Sequence, residues 1–378
     1  MIDFKCLKCG NDNWQPFGHY TYKGAYKKRW QCTKCGKVIK EDKDDVKEEK
    51  VVILGKVKDK EKETFENVKK ISEEVLSKLE KRERLIPQIK KGKLKPEKWL
   101  QLFSDLQYGL RVNPVEIGHL GEFNPKVAKE RLNYMVSTIG NILEYYPNKP
   151  EELYIACLGD NIENAYMRAN QQSEIAFGIC TQVIEVVELF ADMIVALSKY
   201  FPVIKVFAIV GGNHGRMGKK MNDASPSDNY EYLIYHFVQQ RLKDMENIHF
   251  SFTSARHMIV NIGGWNFWLE HGDTVRSWAG IPFYGIKREM NNINSMLGKF
   301  SEHADYLLAG HFHTKASFNE VFMNGSFPGG DSYSIGSLRL MDFPYQKLLG
   351  VNEKHGVVWD RNICLIDNPR GLKIKIYK

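Results

Sequence analysis

Five short apolar runs lie along the last three-quarters of the chain, at Trp99 to Phe103, Leu153 to Leu158, Val203 to Val210, Asn266 to Leu269 and Tyr306 to Ala309. They are rich in branched and aromatic residues and end at polar or glycine positions, the pattern of buried strands. Between the second and third runs, Ser173 to Tyr200 carries an apolar face interrupted by Glu185, Glu188 and Asp192, which predicts one long helix. From about His257 onward turn signals multiply, with Gly263-Gly264, Gly329-Gly330 and the hairpin-like Asn324-Gly325. Alternation first and strand-rich sequence afterwards predict an α/β chain, a two-sheet β-sandwich flanked by helices.

The N-terminal quarter follows other patterns. Glu41 to Lys50 is nearly all charged and reads as a tether. From about Lys60 to Leu85, the residues Phe65, Val68, Ile71, Val75 and Leu79 recur at steps of three and four, predicting an amphipathic helix. Its stripe has three outlets: the main domain, a second copy in a homodimer, or a partner such as an ATPase. Pro87 and Lys90-Lys91-Gly92-Lys93 end it. The expected division is a zinc ribbon over residues 1–40, a linker with this helix over 41–98, and a catalytic domain over 99–378. A chain of 378 residues can bury one large core beside so small a ribbon.

Cysteine spacing supplies the ribbon. Four of the seven cysteines form Cys6-x-x-Cys9 and Cys32-x-x-Cys35, each pair followed by glycine, a spacing that suits one tetrahedral structural zinc. Disulfides and a rubredoxin-like iron are the other readings of the same pairs. Residues 1–40 hold nine Lys or Arg against two Asp, so +7 of the whole chain's formal +8 is concentrated there. Lys28 and Arg29 sit among aromatic residues that are either ribbon packing or a stacking surface, and the segment from Lys28 to Lys37 resembles the zinc ribbons at the start of many transposases and other DNA-handling proteins. A compact basic module suits a polyanion, with nucleic acid, DNA foremost, favoured over a membrane. No secretory signal and no uninterrupted apolar span is legible, so a cytoplasmic protein is expected.

Each strand run hands over to a polar cluster: Asp105-Leu106-Gln107, Gly159-Asp160-Asn161, Gly212-Asn213-His214, His271-Gly272-Asp273 and Gly310-His311-Phe312-His313. Singly, a Gly-Asp is an ordinary turn and alternate histidines satisfy buried polar groups. Together they supply the oxygen donors, imidazoles and bridging carboxylate that two cations about 3.5 Å apart require.

In this order the clusters resemble the calcineurin-like metallophosphoesterase superfamily, whose motifs run Asp-x-His, Gly-Asp, Gly-Asn-His, His and Gly-His-x-His. The likeness spans roughly residues 99 to 340. It implies the metallophosphoesterase fold and two divalent ions, manganese foremost, with magnesium or iron(II) as alternatives. By resemblance Asp105, Gln107 and His313 would hold one ion, Asn213, His271 and His311 the other, and Asp160 would bridge them. His214 would serve the leaving group, and a hydroxide between the ions would attack phosphorus. The implied activity is phosphodiester hydrolysis by a nuclease similar to the Mre-type repair exonucleases. A small-molecule nucleotide phosphoesterase or phosphatase, and a DNA-binding protein with a degenerate centre, are the alternatives.

Two positions depart from the family pattern. Gln107 replaces an imidazole, as in a branch that acts on nucleotide diphosphate compounds. Gly215 stands where relatives place an acidic residue that orients the histidine, a task left to Asp273 or another group. Arg216 comes next, where a guanidinium beside the site would grip phosphate; Lys219 and Lys220 extend that basic loop.

Overall fold

All five apolar runs form strands, and period two decides which face of each residue is buried. The structure is a computed structural model that describes residues 5–6, 8–22, 25–40, 66–67, 69–71, 73–74, 97–169, 171–218, 220, 225–276, 282–332, 334–338 and 341–367. Its contacts separate two units, Met1–Lys91 and Gly92–Lys378.

The first unit contains a three-stranded antiparallel sheet of β1 (Trp14–Tyr22), β2 (Ala25–Cys32) and β3 (Val38–Lys40) in the order β1-β2-β3. Trp14 pairs with Cys32, and the register slips between Pro16 and His19, where Gly18 takes a positive φ. Residues 66–67, 69–71 and 73–74 are helical, and Ile71 of the predicted stripe is exposed. Phe65, Val68, Val75, Leu79, the tether and Lys90 to Lys93 lie outside the described residues.

In the second unit, β4 (Lys98–Phe103), β5 (Glu152–Cys157), β6 (Val203–Ile209) and β7 (Ile248–Thr253) run parallel in one sheet. A second sheet holds β8 (His257–Ile262), β9 (Trp265–Glu270), β10 (Tyr306–Ala309), β11 (Ala316–Phe318) and β12 (Val321–Met323), in the order β11-β12-β10-β9-β8. The hairpin of β13 (Tyr345–Asn352) and β14 (Gly356–Cys364) completes the first sheet, as β14-β13-β4-β5-β6-β7.

Along β4, Leu100 and Leu102 enter a buried cluster shared with Phe267, Leu269 and Leu308 of the second sheet, whereas Trp99 and Phe103 enter a cluster shared with helices. Those helices are α1 (Pro125–Glu144), α2 (Ile179–Leu197) and α3 (Tyr230–Leu242); α4 (Phe283–Leu297) covers the far face of the second sheet through Ile286, Met290 and Ile293. The unit is therefore mixed α/β, with both faces of the first sheet buried. No described helix is long and apolar enough to cross a membrane.

Two sequence expectations need correction. The long helix begins at Ile179 rather than Ser173: Gln171–Glu174 form a separate 3-10 turn, Ile175 bridges Leu110, and Ala176 N–H bonds Gly109 O, holding this stretch extended. It also ends at Leu197, short of Tyr200. Asn324-Gly325 is no hairpin turn. Asn324 is buried, its N–H bonds Ala309 O at 2.7 Å, and its amide ties Ser104 to Gln346. By contrast Gly263 and Gly264, both at positive φ, make the tight β8–β9 turn that their sequence predicts.

Candidate metal centres

The ends of β4, β5, β6, β9 and β10 bring the five clusters to one place. Donor atoms of Asp160, His271 and His311 all lie within 4.8 Å of one another. His311 N–H points at both oxygens of Asp105 at 3.2 Å, and His313 Nε2 is 3.4 Å from Asp105 Oδ1 and 3.1 Å from the Gln107 amide. Backbone bonds from Asp105 N–H to Gly159 O and from Gln107 N–H to Asp160 O, both 3.0 Å, lock the first loop to the second. His214 N–H donates to Asp160 Oδ1 at 2.8 Å, which places the Asn213–His214 loop against the same carboxylate. Direct contacts thus tie six of the seven expected ligands into one neighbourhood, and Asn213 immediately precedes the His214 that touches it. Gly212 is required there, because a Cβ would run into the Asp160 carboxylate.

Backbone strain marks the same residues. Nine described non-glycine residues have positive φ, and five of them are Asp105, Gln107, Asp160, His311 and His313. This left-handed region costs an L side chain about 1–3 kcal/mol, a strain that clusters at functional sites.

The donor set fits cations. Asp105 and Asp160 are buried. Burial alone would raise Asp160, but the imidazoles of His271 and His214 outweigh it and hold the carboxyl well below its ordinary range. Leu158 O, which can only accept, lies 2.8 Å from His271 Nδ1 and so holds a proton there; burial opposes charge on the ring, but Asp160 outweighs it and raises His271 to about 9, so Nε2 would meet a cation by releasing its own proton. Nε2 sits 2.9 Å from Asp160 Oδ2 yet makes no well-formed hydrogen bond. Gln107 Oε1 and Asn213 Oδ1 are likewise buried without a hydrogen-bond partner among the described residues. Each such orphan costs about 1–3 kcal/mol; three beside two buried carboxylates are what metal coordination satisfies. Burial, reinforced by the neighbouring His271 charge, lowers His311 to about 3, so it stays a neutral lone-pair donor.

Around His214 the structure departs from the sequence reading. Asp273 does not orient it; its carboxylate pairs with Arg216. The orienting group is Glu163, whose carbonyl O is 2.7 Å and whose carboxylate Oε2 is 3.2 Å from His214 Nδ1. Burial opposes charge on the ring, but Glu163 and Asp160 overcome it and raise His214 to about 10. Gly215 carries no acid because Asn229 and Glu231 occupy the space a Cβ would need. Glu231 in turn binds Asn161 N–H at 2.7 Å, fixing the backbone just after Asp160. Asn164 clamps the His214 and Arg216 carbonyls at 2.6 and 2.9 Å. Lys219 lies outside the described residues.

The second donor cluster is the ribbon's. The thiols of Cys6, Cys9, Cys32 and Cys35 lie within 4.8 Å of one another, with Cys6–Cys35 and Cys9–Cys32 sulfurs 3.6 Å apart. That is far too long for a disulfide and close to the edge of a tetrahedron with arms of about 2.3 Å. In each knuckle a glycine N–H returns to the first cysteine's carbonyl, Gly10 to Cys6 at 2.7 Å and Gly36 to Cys32 at 3.0 Å. Although burial opposes it, the Asn11 amide and the backbone of Cys35 and Lys34 lower Cys32 to about 6. Lys28 is exposed and Arg29 half-buried on β2, and as strand neighbours they belong to opposite faces; Lys28 shares its face with Trp30.

No family model matches the chain. It is similar to the SPbeta prophage-derived uncharacterized protein YonJ of Bacillus subtilis (strain 168), at 24% identity over 225 residues, covering 56% of this chain and 52% of that protein. The chain therefore spans about half the length of this curated relative. Two solved structures are also similar: wild-type Vps29 complexed with zinc from Entamoeba histolytica (TM-score 0.30, 10% identity, 70% of this chain and 99% of that one), and the phosphopantetheinyl hydrolase PptH from Mycobacterium tuberculosis (TM-score 0.24, 10% identity, 62% and 91%).

Proposed function

We propose that the chain is a dinuclear metal-dependent phosphodiesterase of the calcineurin-like type, a nuclease acting on DNA. The observation that carries the reading is the convergence of Asp160, His271 and His311 with Asp105, Gln107 and His313 beside them, and the unpartnered Gln107 Oε1, Asn213 Oδ1 and His271 Nε2 among the described residues. Asp105, Gln107 and His313 would hold one ion, manganese by preference, Asn213, His271 and His311 the other, with Asp160 shared. Bound there, two divalent cations supply Lewis acidity and an ionised water at neutral pH.

The protein's own groups do the rest. Glu163 fixes the His214 ring through Nδ1 and sustains its charge, so that Nε2 delivers a proton to the departing alkoxide oxygen. The locked loops keep the donors in register, which lowers the cost of reorganisation. The four-cysteine ribbon would hold a structural zinc and present Lys28 to the polyanion, raising local substrate concentration at the centre. A cytoplasmic location fits free thiols at all four knuckle positions. The helix around Ile71 is available to a second copy or an ATPase partner.

The test is digestion of end-labelled and circular DNA with added manganese, beside a chromogenic phosphodiester. Wild type should cleave all three, Asp160→Asn none, and Cys32→Ser should lose DNA far more than the small diester. Cleavage of nucleotides alone, unaffected by DNA competitor and by salt, would favour the small-molecule reading.

A further inference from the structure

On the Asp105 side of the centre, three fully buried polar side chains meet: Ser104 at the end of β4, Asn324 just after β12 and Gln346 on β13. Backbone groups fix which way each amide faces. Gln346 Nε2 lies 3.2 Å from Ser104 O and 3.0 Å from Gly325 O, which only accept, so its Oε1 faces the Ser104 N–H at 3.2 Å. Lys347 N–H donates to Asn324 Oδ1 at 2.9 Å, so the Asn324 NH2 group faces the other way, donating to Gln346 Oε1 at 2.7 Å and to Ser104 Oγ at 2.9 Å. With an amide N–H already pointed at its oxygen, the Ser104 hydroxyl donates its own hydrogen to Asp105 Oδ2, 2.5 Å away. The donors thus run from Asn324 to Ser104 to Asp105 Oδ2, and Gln346 holds Asn324 in the one orientation that allows it. The end of this relay is closed: a Cβ on Gly310 would come 2.8 Å from Asp105 Oδ2 and 2.9 Å from Ser104 Oγ. His311 N–H reaches both Asp105 oxygens equally, so the serine hydroxyl is what distinguishes them, and Oδ1 faces His313 Nε2 at 3.4 Å.

We propose that Ser104, aimed by Asn324 and Gln346, is the positioning residue for one ion of the pair: it engages Asp105 Oδ2 and so dedicates Oδ1 to the cation shared with Gln107 and His313. The proposal rests on the dinuclear reading and deepens it. A carboxylate free to turn offers a cation either oxygen or both, whereas a hydroxyl bonded to one oxygen settles the choice before the ion arrives. Asp105 supplies that ion's only unshared carboxylate beside a neutral amide and an imidazole, so its aim matters most there. The effect is confined to that ion, because the relay ends on Asp105.

The experiment titrates the full chain, dialysed against a weak chelator, with manganese, following heat by calorimetry and free manganese by its electron paramagnetic resonance signal, in wild type, Ser104→Ala, Ser104→Cys and Asn324→Asp. Wild type should bind two ions. Ser104→Ala should weaken one of them about ten- to a hundredfold, the range for losing a hydrogen-bond partner of a metal ligand, and leave the other unchanged. Ser104→Cys, which donates weakly, should fall between wild type and Ser104→Ala. Asn324→Asp keeps the shape but turns the donor amide into an acceptor, so the serine hydroxyl swings toward it and the same ion should weaken. Urea unfolding of the metal-free proteins checks the fold, and Ser104→Ala decides the question where Asn324→Asp does not fold. In manganese-loaded crystals of wild type, Asp105 should meet its ion through Oδ1 alone. Equal manganese binding in wild type and Ser104→Ala, equal weakening of both ions, or an ion held through Oδ2 overturns the relay and leaves the dinuclear reading intact. Wild type that binds two ions yet hydrolyses no diester overturns the activity instead, with the relay still decided by manganese affinity; wild type that binds no manganese overturns both.

Discussion

At the residue scale, the candidate centre gathers two buried carboxylates with Gln107 Oε1, Asn213 Oδ1 and His271 Nε2, atoms that have no hydrogen-bond partner among the described residues. Asp160→Asn removes the carboxylate assigned to both ions by the proposed function and should lower metal-dependent turnover by at least about 10³-fold while leaving the fold intact, checked by circular dichroism beside kcat. The proposed function gives Glu163 control of a proton. Because its carboxylate raises the His214 pKa, and the proposed mechanism uses His214 in its protonated form, Glu163→Gln should move the alkaline limb of the pH–rate profile to lower pH; a limb that stays put would remove Glu163 from the mechanism. Asp105, Asp160, His271, His311 and His313 were legible in the sequence because each follows an apolar strand. Glu163 was not, since it lies three residues beyond Asp160 in a loop and meets His214 only through the approach of the 212–216 segment. The pairing of Arg216 with Asp273 was hidden for the same reason: charges 57 positions apart meet only in three dimensions.

At the scale of elements, the five strands that lead into the polar clusters declared themselves, whereas β7 and three helices did not. Runs buried on both faces are nearly continuous in apolar residues, whereas α1, α3 and α4 mix their apolar faces with charge and amide groups and lack a clean boundary signal. One boundary is readable in hindsight: Asn124-Pro125 opens α1, with Asn124 Oδ1 accepting from Lys126 and Val127 N–H at 3.0 and 3.1 Å. Asn124→Ala should therefore cost about 1 kcal/mol in urea unfolding. A second element-scale prediction concerns pH. Burial works against the Glu152 carboxylate on β5, but Lys205 on β6 and Lys98 on β4 dominate and lower it to about 2. A depressed carboxyl stabilises above its ordinary pKa, and that stabilisation is lost as pH falls from about 4.5 through about 2. Glu152→Gln should flatten this part of the acid-unfolding curve; an unchanged slope would show that the three-strand ion pairing contributes nothing.

At the scale of the molecule, the proposed function divides chemistry and grip between the two units, with cutting assigned to the sheet-end centre and holding to the basic ribbon. Removing zinc with a chelator that spares manganese should raise KM for DNA more than for a small diester, and raising salt should do the same. The four-cysteine cluster was legible because paired cysteines are a compositional signal, whereas the placement of Lys28 and Arg29 on opposite faces required the strand itself. All of this depends on two cations sharing Asp160. Crystals grown with manganese and measured at its absorption edge test that directly. The account predicts two anomalous peaks about 3.5 Å apart, one beside Asp105, Gln107 and His313, the other beside Asn213, His271 and His311, with the Asp160 carboxylate between them. No peak there, or a single ion held without Asp160, would contradict it.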